Sequence, residues 1–305
     1  MKVGIPRAGL YHLFHPFWSE FFSSLGFEVV ISAATDKEIL SQGLKIANSE
    51  MCLPMKIMYG HILSLKDRCD FLFLPQLGAA KWGQAKPGTS TFFCPYFVGL
   101  ADLMAAEFPQ MKFFRPQISF WDNLFQAADW LEFAREIGFA PAAAKNAFSR
   151  AEKAYEVFRQ QQIKEAPLPR DKKIALVGRP YLIYDHQANL DIIKKINQRG
   201  YQVATVEMIP DSDLKTAWLK LPPDFVSHWY LTNKTYGAIN HFSQRPDISG
   251  IIFLVPFNCG PDFLVEYLVI QKARAHKPIT TISIDESTGE AGLLTRLDAF
   301  IDILK

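Results

Sequence analysis

The sequence has no Cys-x-x-Cys pair, no Gly-x-x-x-x-Gly-Lys-Ser/Thr loop, no excess of either charge and no long apolar run. Each absence excludes something. Without Cys-x-x-Cys, a zinc ribbon or a thioredoxin-type dithiol does not fit. Without the phosphate loop, and with no clear sugar-kinase-like one, nothing marks this chain as an ATPase. Lys plus Arg is 33 against Asp plus Glu at 31, so there is no electrostatic reason to expect nucleic acid or an anionic membrane as partner. No stretch approaches the ~18 apolar residues of a membrane span, and the opening Met1–Pro6 is too short for a signal peptide. The expected compartment is the cytoplasm. Thiols stay reduced there, so the 4 cysteines point to metal, catalysis or plain core rather than disulfides.

What is present is a chain of 305 residues, 49% hydrophobic and 21% charged, enough for two packed domains. Short apolar runs alternate with helical patterns. Val3–Pro6, Phe27–Ser32 and Phe71–Leu74 read as buried strands, and Phe14–Leu25 as a helix closed by Gly26. Thr35 or Asp36 can cap a helix running to Ala47. After a helical stretch from Trp121 to Gln162 and a proline-marked linker at Pro167 and Pro169, the alternation restarts. Lys173–Val177, Tyr201–Val206, Ile251–Val255 and Ile279–Ile284 read as strands, with helices over Leu190–Arg199, Phe263–Ala275 and Gly292–Lys305. Strands alternating with helices imply an α/β protein with mostly parallel sheets. The expected organisation is a first lobe over 1–120, a helical connector and linker over 121–170, and a second lobe over 171–305. Pro210–Tyr236 resists assignment and reads as a long loop or irregular helices.

Three cysteines share one local context. Cys94 ends an apolar run and is followed by Pro95; Cys259 follows Ile251–Val255 and precedes Pro261; Cys52 has Pro54 two residues on. Proline suits the first turn of a helix, so each sits at a helix start, where free N–H groups stabilise a thiolate. Thiolate is the form that binds iron. Cys69, in Asp67-Arg68-Cys69-Asp70, precedes a strand and has no following proline. A single cysteine in such a context is more often a small core residue; three with matching contexts favour ligands.

At these residues the sequence resembles the 2-hydroxyacyl-CoA dehydratase component and acyl-CoA dehydratase activase-related family, and within it the uncharacterised activase-associated domain. The resemblance covers nearly the whole chain and rests on Gly4-Ile5-Pro6-Arg7, Glu50-Met51-Cys52-Leu53-Pro54-Met55-Lys56, Gly60-His61 and Cys94-Pro95. It continues through Gly178-Arg179-Pro180-Tyr181, Phe257-Asn258-Cys259-Gly260-Pro261-Asp262 and Asp285-Glu286-Ser287-Thr288-Gly289-Glu290-Ala291-Gly292. It implies two Rossmann-like lobes and a cubane iron–sulfur (4Fe-4S) cluster in an interlobe cleft, bound by Cys52, Cys94 and Cys259. A double cubane would draw further ligands from a second chain, so a homodimer is compatible. It further implies an oxygen-sensitive, anaerobic setting and low-potential electrons from a separate ATP-hydrolysing activator. A small-molecule substrate would fit an iron that lacks a cysteine. Two readings stand: a reductase or 2-hydroxyacyl-CoA dehydratase-like component, or a non-catalytic protein that carries electrons or a cluster. A cluster-free binder of small molecules is a third.

Other residues have a functional and a plain reading. Arg179, after a strand, suits a carboxylate or phosphate, or is a solvated turn residue. Lys56 lies four residues after Cys52, on the same helical face, and could offset cluster charge. His61 could bond a cluster sulfur or ligand, though a packing histidine is the better reading. Glu50 and Asp285 read as helix-start residues rather than acids for catalysis.

Overall fold

The computed structural model describes residues 1–81, 91–121, 124–164, 172–222, 227–267 and 276–305. The expected linker around Pro167 and Pro169, and most of the expected helix Phe263–Ala275, lie outside them. The chain is α/β, with mostly parallel sheets, and forms two compact units. The first comprises Met1–Ser49, Met55–Gln160 and His228–Tyr230; the second comprises Glu50–Pro54, Gln161–Ser227 and Leu231–Lys305. The stretch 127–160, expected as a connector, thus packs as part of the first unit.

In the first unit, β1 (Lys2–Ile5), β2 (Glu28–Ile31), β3 (Phe71–Phe73) and β6 (Phe113–Phe114) form a parallel sheet in the order β2-β1-β3-β6. A second sheet, ordered β5-β4-β7-β8, joins β4 (Gln76–Lys81), β5 (Thr91–Phe92), β7 (Gln117–Trp121) and β8 (Leu124–Phe125). Its outer pairs are antiparallel. The core between them is aromatic. Helix α1 (Tyr11–Ser24) presents Phe14, Phe17, Phe21 and Phe22 at helical spacing. Phe17 lies 4.7 Å, ring to ring, from Trp130, and Phe22 lies 4.9 Å from Phe73. Such tilted and edge-on pairs add to the stabilisation from burial itself.

Helix α2 (Lys37–Ile46) starts at Asp36, whose carboxylate accepts the Ile39 N–H at 2.8 Å. It crosses α3 (Leu53–Leu65) with backbones in contact. A Cβ on Gly43 would sit 2.0 Å from the Lys56 carbonyl oxygen, and one on Gly60 1.9 Å from that of Ile39. Only glycine permits that approach. Helix α4 (Pro95–Glu107) follows Cys94. The single helical stretch expected from Trp121 to Gln162 is instead β7, β8, α5 (Ala127–Glu136) and α6 (Pro141–Lys164). Gly138, at φ +93°, takes the left-handed position that ends α5.

The second unit holds one parallel sheet, ordered β10-β9-β11-β12, from β9 (Lys173–Gly178), β10 (Gln202–Thr205), β11 (Ile248–Pro256) and β12 (Ile279–Ile284). All six residues of β9 are buried, as expected of a central parallel strand. Its helices are α7 (Pro180–Ile183), α8 (Ile192–Asn197), α9 (Asp211–Leu219), α10 (Tyr230–Ser243), α11 (Gly260–Val265) and α12 (Glu290–Ile303). The segment that resisted assignment therefore contains α9 and the start of α10. Buried Lys173 meets Asp247 at 2.6 Å, tying the start of β9 to the chain entering β11.

Candidate functional site

All three helix-start cysteines occupy the expected local position. Cys94 is the N-cap of α4 with Pro95 in its first turn, and Cys259 is the N-cap of α11 with Pro261 in its first turn. Cys52 directly precedes α3, whose second residue is Pro54. All are partly buried. Cys69 differs: its thiol donates to the Leu65 carbonyl at 3.4 Å, and burial pushes its ionisation up.

The units divide these residues in a way the sequence did not indicate. Cys94, Lys56 and His61 belong to the first unit. Cys52, expected there too, belongs with the second, because the loop Glu50–Pro54 has its neighbours in that unit, unlike the residues that flank it. Cys52 and Cys259 therefore share a unit with Arg179.

Arg179 is the centre of this group. It is the N-cap of α7, at the carboxyl end of β9, where Pro180 opens the helix. The side chain is 3% exposed. Its Nη2 pairs with the Asp262 carboxylate, which is 1% exposed, and donates to Thr232 Oγ1 at 2.9 Å. Burial works against the Arg179 charge, but Asp262 more than offsets this, and the guanidinium stays protonated. Its other nitrogen, Nη1, is buried with no partner among the described residues.

Cys259 lies within electrostatic reach of Arg179, Asp262 and Cys52. Burial first, and then Asp262, push its thiol well above the usual range, while Arg179 pulls the other way. Tyr181 is raised by burial, with Arg179 opposing, and also feels Cys52 and Cys259. Burial lifts Tyr236 to about 12. The Arg179–Asp262 pair and Cys259 thus share a buried setting, with Cys52 within electrostatic reach of Cys259.

His61 is 0% exposed and is held between two hydroxyls, Ser32 Oγ on Nδ1 at 2.8 Å and Thr35 Oγ1 on Nε2 at 2.9 Å. Burial, helped by Arg7, lowers its pKa to about 4, so it is a neutral packing histidine. Lys56 is buried on α3 in the same unit rather than solvated. Asp285 accepts from Ser287 N–H and from Thr288 Oγ1, shaping the turn before α12, whose N-cap is Gly289.

Asp262, Thr232 and Tyr236 were not singled out from the sequence. Asp262 had a signal, three residues after a cysteine at a helix start. Thr232 and Tyr236 had none, because they lie in the segment whose elements could not be assigned.

Among the described residues no three His, Cys, Asp or Glu side chains gather as they would around one metal ion. A thiol at Cys259 near a buried guanidinium with a spare donor suits an anionic, thiolate-bound group; that is the fit these residues offer.

An α/β chain with cysteines at helix starts, two of them just after strands, defines the class. The model of the CoA enzyme activase uncharacterised domain matches residues 2–209, and the chain belongs to that family. No curated protein sequence matches it. Among solved structures it is similar to the SBP FpvC of P. aeruginosa in complex with Ni2+, at 13% identity and a TM-score of 0.26, covering 100% of this chain and 95% of that one. It is also similar to the laminin-binding adhesin Lmb of Streptococcus agalactiae, at 11% identity and 0.28, covering 99% and 97%. A third is the dinucleotide-forming acetyl-coenzyme A synthetase 1 of Ca. Korarchaeum cryptofilum, at 14% and 0.24, covering 99% of this chain and 59% of that one. Likenesses this distant carry nothing about function. No helix among the described residues is long and apolar enough to cross a membrane.

Proposed function

We propose that this activase-related chain is an iron–sulfur protein in which Cys52, Cys94 and Cys259 are the thiolate ligands of one cubane cluster. It would act as a low-potential reductase or dehydratase-like component served by a separate ATP-hydrolysing activator. The observation that carries the reading is that Cys259, beside the buried Arg179–Asp262 pair, lies within electrostatic reach of Cys52, far apart from it in sequence but in the same unit. When bound, such a cluster supplies one-electron transfer.

The chain's own residues would do the rest. Cys52, Cys94 and Cys259 each present sulfur at a helix start, where backbone N–H groups favour thiolate. Arg179 brings positive charge toward sulfur, and Asp262 and Thr232 hold its guanidinium in place. The buried rings of Tyr181 and Tyr236 exclude water from that side. With three cysteines for four irons, such a cluster would leave one iron to a small molecule, which favours a catalytic component over a simple carrier.

The test is anaerobic purification with iron and acid-labile sulfide analysis, followed by paramagnetic resonance of the reduced protein. Cys52→Ser, Cys94→Ser and Cys259→Ser should each lose iron, while Cys69→Ser keeps it. Iron loss in Cys69→Ser equal to the others, or a wild-type chain that holds no iron, refutes the ligand set.

A further inference from the structure

Buried charges in the second unit are, with one exception, answered from within. Lys173 has Asp247, Glu207 accepts from Tyr184 at 2.9 Å, and Asp185 accepts the N–H groups of Gln187 and Ala188. Arg179 and Asp262 are the exception. Among the described residues they are the only buried charged side chains with polar atoms lacking a directed hydrogen bond. A buried donor left without an acceptor destabilises a fold, so a fold keeps one where something else accepts it. Arg179 is not a loose surface group caught in an odd rotamer. Its backbone is set by the N-cap of α7, and Nη2 is clamped by Asp262 and Thr232, so the direction of Nη1 is set as well. Arg179 is paired with Asp262, three residues after Cys259 at the start of α11, so the pair stands close to that cysteine.

Resting on the cluster reading above, we propose that Arg179 Nη1 donates a hydrogen bond to sulfur of the bound cluster and thereby sets its reduction potential, with Asp262 as the counter-charge that tempers the effect. A donor and a positive charge beside sulfur stabilise the more negative, reduced state. The electron taken up in the measurement comes from dithionite, and no bond to the chain is made or broken. The pair gives two handles of opposite sign. Removing the donor makes reduction harder; removing the carboxylate makes it easier.

The experiment is a redox titration of the anaerobically purified, iron-loaded full chain, monitored by paramagnetic resonance, with iron content measured on every variant. Asp262→Asn should raise the potential. The double variant Arg179→Gln with Asp262→Asn leaves no buried charge stranded and should lower it relative to Asp262→Asn. The expected change in the reduced-to-oxidised ratio at fixed ambient potential is about tenfold, or 59 mV for a one-electron couple. Arg179→Lys, which keeps charge, should fall between the wild type and the double variant and remains readable should the double variant fail to fold. General loosening of the site would move every variant in one direction. Iron-bearing variants whose potentials do not move, or a double variant whose potential is no lower than that of Asp262→Asn, overturn the role of Arg179. A wild-type chain without iron is a different failure: it removes the cluster reading and this inference with it.

Discussion

The two units place an arginine at the same point of the same plan and treat it oppositely. In the first, β1 ends in Pro6-Arg7, the helix does not begin until Tyr11, and Arg7 is exposed. In the second, β9 ends in Arg179-Pro180, Pro180 opens the helix at once, and Arg179 is 3% exposed. The order of two residues decides this. Proline directly after the arginine makes the arginine an N-cap and draws its side chain under the sheet's end; proline before it leaves a four-residue turn that lets the side chain out. The buried polar groups differ too. The first unit holds a neutral imidazole between two hydroxyls, whereas the second holds an ion pair near the Cys259 thiol.

The largest effect should come from Arg179→Met, which strands buried Asp262 and should cost about 3–5 kcal/mol. Arg7→Met should stay within about 0.5 kcal/mol, as for an ordinary surface substitution. Urea unfolding of the two variants checks this, and equal costs would break the contrast.

Next is the pH response of the first unit. In the fold the pKa of His61 drops from the usual 6.5 of a histidine to about 4. Between those values the unfolded chain binds the proton and the folded chain does not, so stability is full above pH 6.5 and falls as pH drops toward 4. A shift of that size corresponds to roughly 3 kcal/mol. His61→Gln should flatten the acid limb of a stability-versus-pH curve over that window, and an unchanged limb would mean that another group carries it.

The smallest effect is local. Asp36→Ala removes the cap of α2 and should cost about 1 kcal/mol. The measurement is amide exchange at the start of α2: faster exchange there, with little change in the second unit's strands, would mark the two units as separate in stability. Equal acceleration in both would argue that they unfold together.

Elements stiffened by local rules were legible before any coordinates. The buried strands β1, β3, β9 and β11 were visible as apolar runs, and the helix starts at Asp36, Cys94 and Cys259 as a capping residue or an adjacent proline. Of the second sheet only β5 was legible, as the short run Thr91–Phe93 before Cys94; β8 is two residues long, and a two-residue strand has no period to read. Its neighbour α6 made the whole stretch from Trp121 look helical. The segment containing α9 and the start of α10 was obscured by prolines and aromatics that no simple periodicity organises.

By itself, the sequence determined which cysteines stand at helix starts, since proline within two residues and an adjoining apolar run or helix are local facts. It also determined that His61 and Gly60 sit on one helix. Tertiary structure alone decided that Cys52 belongs with Cys259, that Arg179 is buried against Asp262, and that His61 is neutral. Each depends on which distant residues displace water from a side chain. Burial sets the cost of a charge and so the need for a partner, and burial is a property of the packed chain that spacing along the sequence does not encode.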